Sequence, residues 1–143
     1  MLHLFIAPII AVLDHSIKKS REENDTAYEY LDGKIRIITY HNRGAFLGRG
    51  SKNPFLVTVL SVALTLVMGL VFVLTFTMTG LKTLKFGLGL LLGGAFSNTY
   101  DRIKKGYVTD YLIFSKAPGF IKNIVFNISD FAIITGALIS ALS

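Results

Sequence analysis

Residues 54–81 read PFLVTVLSVALTLVMGLVFVLTFTMTGL and contain no charged side chain. A helix needs roughly 20 apolar residues to cross the hydrocarbon core of a bilayer, so this stretch is long enough to span a membrane. The rest of the chain is also poor in charge: of 143 residues, 52% are hydrophobic and 17% are charged. A soluble domain carries about 25% charged residues. The sequence therefore predicts an integral membrane protein with a single domain.

Three further apolar segments lie on either side of this stretch, and they bring the predicted number of spans to four. The segment at 84–101 is rich in small residues, which let helix backbones approach closely. The segment at 124–142 carries one charge, Asp130. The N-terminal segment, about 2–17, is shorter and contains Pro8. Because it has no obvious basic n-region or small-residue cleavage site, we expect a first span there rather than a signal peptide.

The polar stretch between the first two spans has the features of a small β-sheet. Residues 34–41 begin with alternating polar and apolar side chains and are rich in β-branched residues, which is typical of a strand. Asp32-Gly33 is a turn signal, and residues 28–31 form a candidate partner strand. The predicted fold is thus mainly α: four transmembrane helices with a small surface β-sheet, at about 28–48, between the first and second.

The charge balance and the cysteine count exclude several classes of protein. The net charge of +6 invites a nucleic-acid interpretation, but the long uncharged segments argue against it, so we expect no nucleic-acid partner. The chain has no cysteine, which excludes a disulfide scaffold and a thiolate metal site. Its three histidines lack the spacing of a zinc peptidase, so we expect no metal. Lysine and arginine are concentrated in the first and third loops, which the positive-inside rule places in the cytoplasm.

Four aspartates lie at the ends of predicted spans or just beyond them: Asp14, Asp101, Asp110 and Asp130. An ionisable group near hydrocarbon is costly and is therefore a candidate for function. Each could instead be an interfacial charge that reaches water or pairs with a lysine. Asn98 precedes Asp101 by three residues and Arg102 by four, so a helix places all three on one face. Asn127 precedes Asp130 by three residues in the same way.

Two aspartates from different segments, each with an amide nearby, suit acid–base hydrolysis. Two carboxylates a few ångströms apart do not both ionise easily, so such a pair shares one proton. One carboxylate can then take a proton from water while the other protonates the leaving nitrogen. The spacing alone does not show that Asp110 and Asp130 meet, so a two-carboxylate hydrolase is one alternative at this point.

Several motifs together resemble a known family. GGAFSNTYDR at 93–102 is followed by GYVTD at 106–110, and FNISDFAI lies at 126–133. These stretches resemble the third-span and fourth-span signatures of the lipoprotein signal peptidases, the type II signal peptidases of bacteria. Two shorter stretches, DHSIK at 14–18 and NRGAF at 42–46, are similar to further family motifs and occur in the family's order. The resemblance covers most of the chain.

The resemblance implies a multi-pass aspartic endopeptidase of the bacterial cytoplasmic (inner) membrane. Such enzymes cut diacylglyceryl-modified prolipoproteins on the N-terminal side of the lipidated cysteine, so the implied partners are those substrates and membrane lipid. The family's catalytic aspartates correspond to Asp110 and Asp130. Its supporting or substrate-binding residues correspond to Asn98, Arg102, Asn127, Asn42 and Asp14. Arg102 would bond the substrate backbone or pair with Asp101, for which we expect a structural role. No cofactor or metal is implied.

Two features depart from the family's pattern. The family places the first and third loops outside the cytoplasm, opposite to the orientation that the lysine and arginine count indicates. Phe46 stands where the family has a second small residue after Gly44-Ala45, so we expect a reshaped loop there.

Two other classes of function stay open. A non-catalytic family member would bind lipidated peptides or a membrane partner without cutting, and the presence of both aspartates argues against it. A small basic bundle would be structural or would bind anionic lipid through its lysines. That reading explains the charge but not the two Asn-x-x-Asp pairs. The lysines concerned are Lys104, Lys105, Lys116 and Lys122.

Overall fold

Four α-helices and one antiparallel sheet make up the part of the chain that the computed structural model describes, residues 3–45 and 52–143. The helices are α1 (His3–Glu23), α2 (Pro54–Thr75), α3 (Lys82–Lys105) and α4 (Ile128–Ala141). The strands are β1 (Tyr28–Tyr30), β2 (Ile35–Asn42), β3 (Val108–Phe114) and β4 (Val125–Phe126). A short 3-10 turn, Ile121–Asn123, precedes β4.

Helix α2 forms from the uncharged stretch and has a well-defined start. Asn53 caps it, since its side-chain oxygen accepts a hydrogen bond from the Leu56 N–H (3.1 Å), and Pro54 occupies the first helical position. The helix has 22 residues with a mean hydropathy of 2.7 over its most apolar window. At a rise of 1.5 Å per residue it is about 33 Å long, close to the thickness of a hydrocarbon core.

Of the four helices described, only α2 is both long and apolar enough to cross a membrane on its own. Helix α1 carries Asp14, Lys18 and Arg21, and α4 has 14 residues. The four predicted crossings therefore correspond to four helices, of which one is a clear span by length and hydropathy.

Several polar and charged side chains are fully buried while many large apolar side chains are exposed, which is unusual for a soluble domain. Asp14, Lys18 and Asn127 are fully buried. Phe5 on α1 is 63% exposed, and Leu66 on α2 is 68% exposed. Since ionisable groups inside a membrane protein face the interior of the bundle, this distribution fits an exterior in contact with lipid.

Helix α3 lies at the centre and packs against the other three helices. Its glycines permit this, because a Cβ at Gly93 would lie 2.7 Å from the Ala7 carbonyl oxygen of α1. A Cβ at Gly94 would collide with the Ser129 carbonyl of α4. This is the close approach of backbones that the small residues indicate.

The sheet has the strand order β1-β2-β3-β4, and every neighbouring pair is antiparallel. The prediction of a sheet between the first and second spans was incomplete, because two of the four strands come from the segment between α3 and α4. In β3 the residues Val108–Tyr111 are all buried, so the sequence lacks the alternation that marks a half-buried strand. Strand β2 ends at Asn42, and the predicted continuation over 46–48, with Phe46, lies outside the described residues.

The helix bounds differ from the predicted spans, and the differences affect the site. Helix α1 continues to Glu23, beyond the predicted end at residue 17, because Lys18 and Arg21 are buried against the protein; the first two residues of the chain lie outside the described ranges. Helix α4 starts at Ile128 rather than 124, because the preceding residues form β4.

Candidate active site

A cavity of about 700 Å³ lies between α2, α3, α4 and the sheet. Five residues that the sequence analysis selected line it: Asn42, Asn98, Arg102, Asp110 and Asp130. Two others do not line it. Asn127 is buried directly beside the two lining aspartates, and Asp14 lies elsewhere in the bundle.

Strand β3 positions Asp110, which lies opposite Tyr40 of β2 in the sheet. Both of its carboxylate oxygens accept hydrogen bonds from side-chain amides. Asn42 Nδ2 donates to Oδ2 over 2.9 Å, and Asn127 Nδ2 donates to Oδ1 over 2.6 Å. Asp110 is 2% exposed, so its carboxyl group has been removed almost entirely from water.

The first turn of α4 positions Asp130 through a capping box. Asn127 is the N-cap residue, and its side-chain oxygen accepts from the Asp130 N–H over 2.9 Å. In return, Asp130 Oδ2 accepts from the Asn127 N–H over 3.0 Å. The Asn-x-x-Asp spacing noted in the sequence is thus the spacing of a helix start. The other oxygen, Oδ1, accepts from Asn98 Nδ2 over 3.0 Å.

Asn127 connects the two aspartates. Its Nδ2 group has two protons, and it donates to Asp110 Oδ1 and to Asn98 Oδ1 (3.1 Å). Its backbone N–H donates to Asp130. One residue therefore holds the carboxylates of two aspartates that lie 20 positions apart in the chain.

The surroundings of Asp110 favour its protonated form. Burial and the nearby Asp130 carboxylate raise the pKa of Asp110 to about 7, against the hydrogen bonds from Asn42 and Asn127 that lower it. The side chain lies on β3, outside the helices. At neutral pH the pair can therefore hold one proton, as acid–base hydrolysis requires.

Arg102 lies one helical turn after Asn98 and reaches across the cavity to the segment that follows β2. Its Nη2 donates to the Gly44 carbonyl over 3.1 Å, and its Nη1 donates to the Asn98 carbonyl over 3.3 Å. The buried Nε has no hydrogen-bond partner among the described residues. The alternative pairing with Asp101 does not form, because Asp101 pairs with Lys18 and Lys105 instead.

Asp14 does not line the cavity and lies outside it, between α1 and α3. It is fully buried and pairs with Lys18 over 2.6 Å. Its Oδ2 also accepts from Ser97 Oγ and Ser129 Oγ, each over 2.6 Å. The site prediction did not include Lys18, whose position four residues after Asp14 places both on one helical face. Within the described ranges, no group of three or more metal-binding side chains is positioned to hold a metal ion.

Comparisons with known proteins agree on one family. The family model described as signal peptidase (SPase) II matches residues 6–143. The chain is 32% identical to the lipoprotein signal peptidase of Caldicellulosiruptor bescii, across 97% of this chain and 87% of that protein. It is 34% identical to the lipoprotein signal peptidase of Halothermothrix orenii, across 94% of this chain and 88% of that protein.

Two solved structures share the fold. Both are described as bacterial membrane enzymes studied by the in meso method. They superpose with TM-scores of 0.84 and 0.76, over 99% of this chain and 85% and 90% of theirs. Their sequences are 20% and 19% identical to this one, so the likeness is one of fold.

Proposed function

Because the chain belongs to the signal peptidase II family, we propose that it is an intramembrane aspartic endopeptidase. It removes the signal peptide from diacylglyceryl-modified bacterial prolipoproteins by cutting on the N-terminal side of the lipidated cysteine. The observation that carries the proposal is the meeting of Asp110 and Asp130 at one cavity, where Asn127 contacts both.

The proposed mechanism divides acid and base work between the two aspartates. The ionised carboxylate takes a proton from a water molecule, and the resulting hydroxide attacks the scissile carbonyl carbon. The protonated carboxyl group then gives its proton to the leaving nitrogen as the carbon–nitrogen bond breaks. All four carboxylate oxygens accept from amide groups, which fixes both side chains before substrate arrives.

The walls of the cavity suit an apolar peptide with a polar cleavage site. Leu64 and Met68 of α2 face Ile133 and Ile134 of α4 across the apolar part. These side chains can pack against acyl chains and against the apolar segment of a signal peptide. At the polar end, Arg102 lines the cavity, and its guanidinium group can bond the backbone of the substrate.

We place all four helices across the bacterial cytoplasmic membrane, with the sheet on the outer side. The apolar residues exposed on α1, such as Phe5 and Val12, supply lipid contacts in addition to those of α2. The excess of lysine and arginine in the first loop points the other way, but part of that charge is neutralised. Lys18 pairs with aspartates inside the bundle, and Arg36 pairs with Glu29 over 2.9 Å. The family orientation is therefore compatible with these contacts.

A cleavage assay with lipidated and unlipidated substrate tests the proposal. Purified protein in liposomes is mixed with a diacylglyceryl-modified prolipoprotein, beside the variants Asp110→Asn and Asp130→Asn. Asp25→Asn, at an exposed position, is the matched control. We expect cleavage of the lipidated substrate alone, by wild type and the control only. Wild-type protein that binds lipidated substrate without cutting it would overturn the proposal. Full activity in both Asp110→Asn and Asp130→Asn would also overturn it.

A further inference from the structure

A second group of buried charges lies outside the cavity, between α1 and α3. It consists of Asp14, Lys18 and Asp101, and we call it the Lys18 cluster. Lys18 Nζ lies 2.6 Å from Asp14 Oδ2 and 3.1 Å from Asp101 Oδ2. The exposed fractions of these side chains are 0%, 0% and 1%. None of the three lines the cavity.

Stability alone does not explain such a cluster. Moving charged groups out of water costs several kcal/mol per ion, and apolar side chains of similar volume are often as stabilising as a buried ion pair. Lys105 pairs with the other oxygen of Asp101 over 3.2 Å and also lies 3.5 Å from Glu22 Oε1. The contacts that the cluster makes with its surroundings indicate what it does.

The cluster fixes the orientation of the Asn98 side chain. An ammonium group has donors and no acceptor. Besides the two carboxylates, Lys18 Nζ has two partners, and Asn98 Oδ1 at 2.9 Å is closer than Ser97 Oγ at 3.3 Å. Asn127 Nδ2 donates to the same oxygen. If the Asn98 amide were inverted, its NH₂ group would face two donors and its oxygen would face the Asp130 carboxylate. The Lys18 charge therefore directs Asn98 Nδ2 towards Asp130 Oδ1.

The cluster also touches the strand that carries the other aspartate. Asp101 Oδ2 accepts from the backbone N–H of Thr109 over 3.4 Å, and Thr109 directly precedes Asp110. The same group of charges thus reaches Asp130 through one side chain and Asp110 through one backbone bond. Lys18 is the only lysine buried among the described residues.

We propose that Lys18 is a positioning residue for the peptidase reaction, and that it acts by holding the Asn98 amide so that Asn98 donates to Asp130. Asp101 assists by holding Lys18 and the start of β3. The inference rests on the proposed function, because it assigns Lys18 a part in aspartic-peptidase chemistry.

The variant Lys18→Met/Asp14→Asn removes one charge of each sign and leaves the Asp101–Lys105 pair in place. We expect kcat to fall by up to about 10²-fold, the loss that a misplacement of about 1 Å produces. KM should stay within about twofold, since the cluster does not line the cavity. Lys19→Met is the matched control, because Lys19 is the next residue on the same helix and its side chain is 67% exposed.

A double-mutant cycle with Asn98→Ala separates positioning from a merely structural role. If Lys18 acts through Asn98, the Lys18→Met/Asp14→Asn change should lower kcat in the wild-type background but not further in the Asn98→Ala background. A loss of the same size in both backgrounds would overturn the inference, as would unchanged kcat in the first background.

A spectroscopic measurement keeps the test independent of turnover. The carboxyl ¹³C resonance of Asp130, assigned with Asp130→Asn in aspartate-labelled protein, should shift in Lys18→Met/Asp14→Asn and not in Lys19→Met. An inactive wild type would contradict the proposed function, whereas an unmoved Asp130 resonance would contradict the positioning role of Lys18.

Discussion

The two groups of buried carboxylates in this bundle have different partners. Asp14 and Asp101 in the Lys18 cluster each pair with a lysine. Asp110 and Asp130 at the cavity accept only from amide groups, and no lysine or arginine of the described chain lies within 4.0 Å of them. A lysine holds its partner in the ionised form, whereas amides orient a carboxyl group and leave room for a proton. The first arrangement therefore suits support, and the second suits catalysis.

The largest effect is expected when a cation is placed beside Asp110 and Asp130, the catalytic dyad, because this removes the difference between the two groups of carboxylates. Asn42 is half-buried and borders the cavity, so Asn42→Lys gives Asp110 the kind of partner that Lys18 gives Asp14. The ammonium would hold Asp110 ionised and remove the shared proton. We expect cleavage to fall by roughly 10²–10⁴-fold, the usual contribution of general acid–base catalysis.

Asn42→Leu is the control for this change, because it removes the hydrogen bond to Asp110 without adding a charge. It should lose less activity than Asn42→Lys in the same liposome assay. Equal activity of the two variants would contradict this idea, because the added charge would then have no effect on cleavage beyond the loss of the hydrogen bond.

A smaller effect is expected when the residue that joins the aspartates is truncated. Asn127→Ala removes donors to Asp110 and Asn98 and the cap of α4, so kcat should fall by up to about 10²-fold. The lost cap should also cost about 1 kcal/mol of stability, which thermal unfolding in detergent measures.

Asn53→Ala is the matched variant, because it removes the cap of α2 away from the aspartates. It should be destabilised by a similar amount and keep its kcat. If both variants lost activity equally, the effect of Asn127→Ala would reflect stability alone.

The pH dependence of cleavage tests whether the dyad holds a proton. Burial and Asp130 raise the pKa of Asp110 to about 7, so the dyad should lose its proton as the pH rises through that value. The value of kcat/KM should then fall about tenfold per pH unit above that pKa. Because the pKa is raised on folding, the stability that Asp110 contributes is present at low pH and lost as the pH rises through about 7. A rate that stays constant from pH 6 to pH 9 would contradict this assignment.

The sequence predicted the features whose signals are local. The uncharged stretch predicted α2, and Asp32-Gly33 marks the turn that joins β1 and β2. The spacing of Asn127 and Asp130 is local too, but it marks a helix start and not the predicted shared helical face, because Asn127 is the N-cap residue of α4 and Asp130 lies in its first turn. The spacing of Asn98 and Arg102 on α3 is equally local.

Features that depend on distant segments were missed. Strands β3 and β4 pair within a sheet that buries the first half of β3, so no alternation marks them. The Lys18 cluster joins α1 to a residue 83 positions away, whereas the sequence showed Lys18 only as part of the DHSIK motif. In a sequence, a charged residue inside a bundle cannot be distinguished from a charged residue at the membrane interface, because its partners lie in distant segments.

Infrared spectroscopy of the protonated carboxyl group tests most directly whether the two aspartates of the cavity share a proton. At pH 6 we expect one protonated carboxyl band, which disappears as the pH rises through about 7. The band should be absent from Asp110→Asn and unchanged in Asp14→Asn. A wild type without the band at pH 6, or a band lost in Asp14→Asn and kept in Asp110→Asn, would contradict the assignment of Asp110 and Asp130 as the acid–base pair.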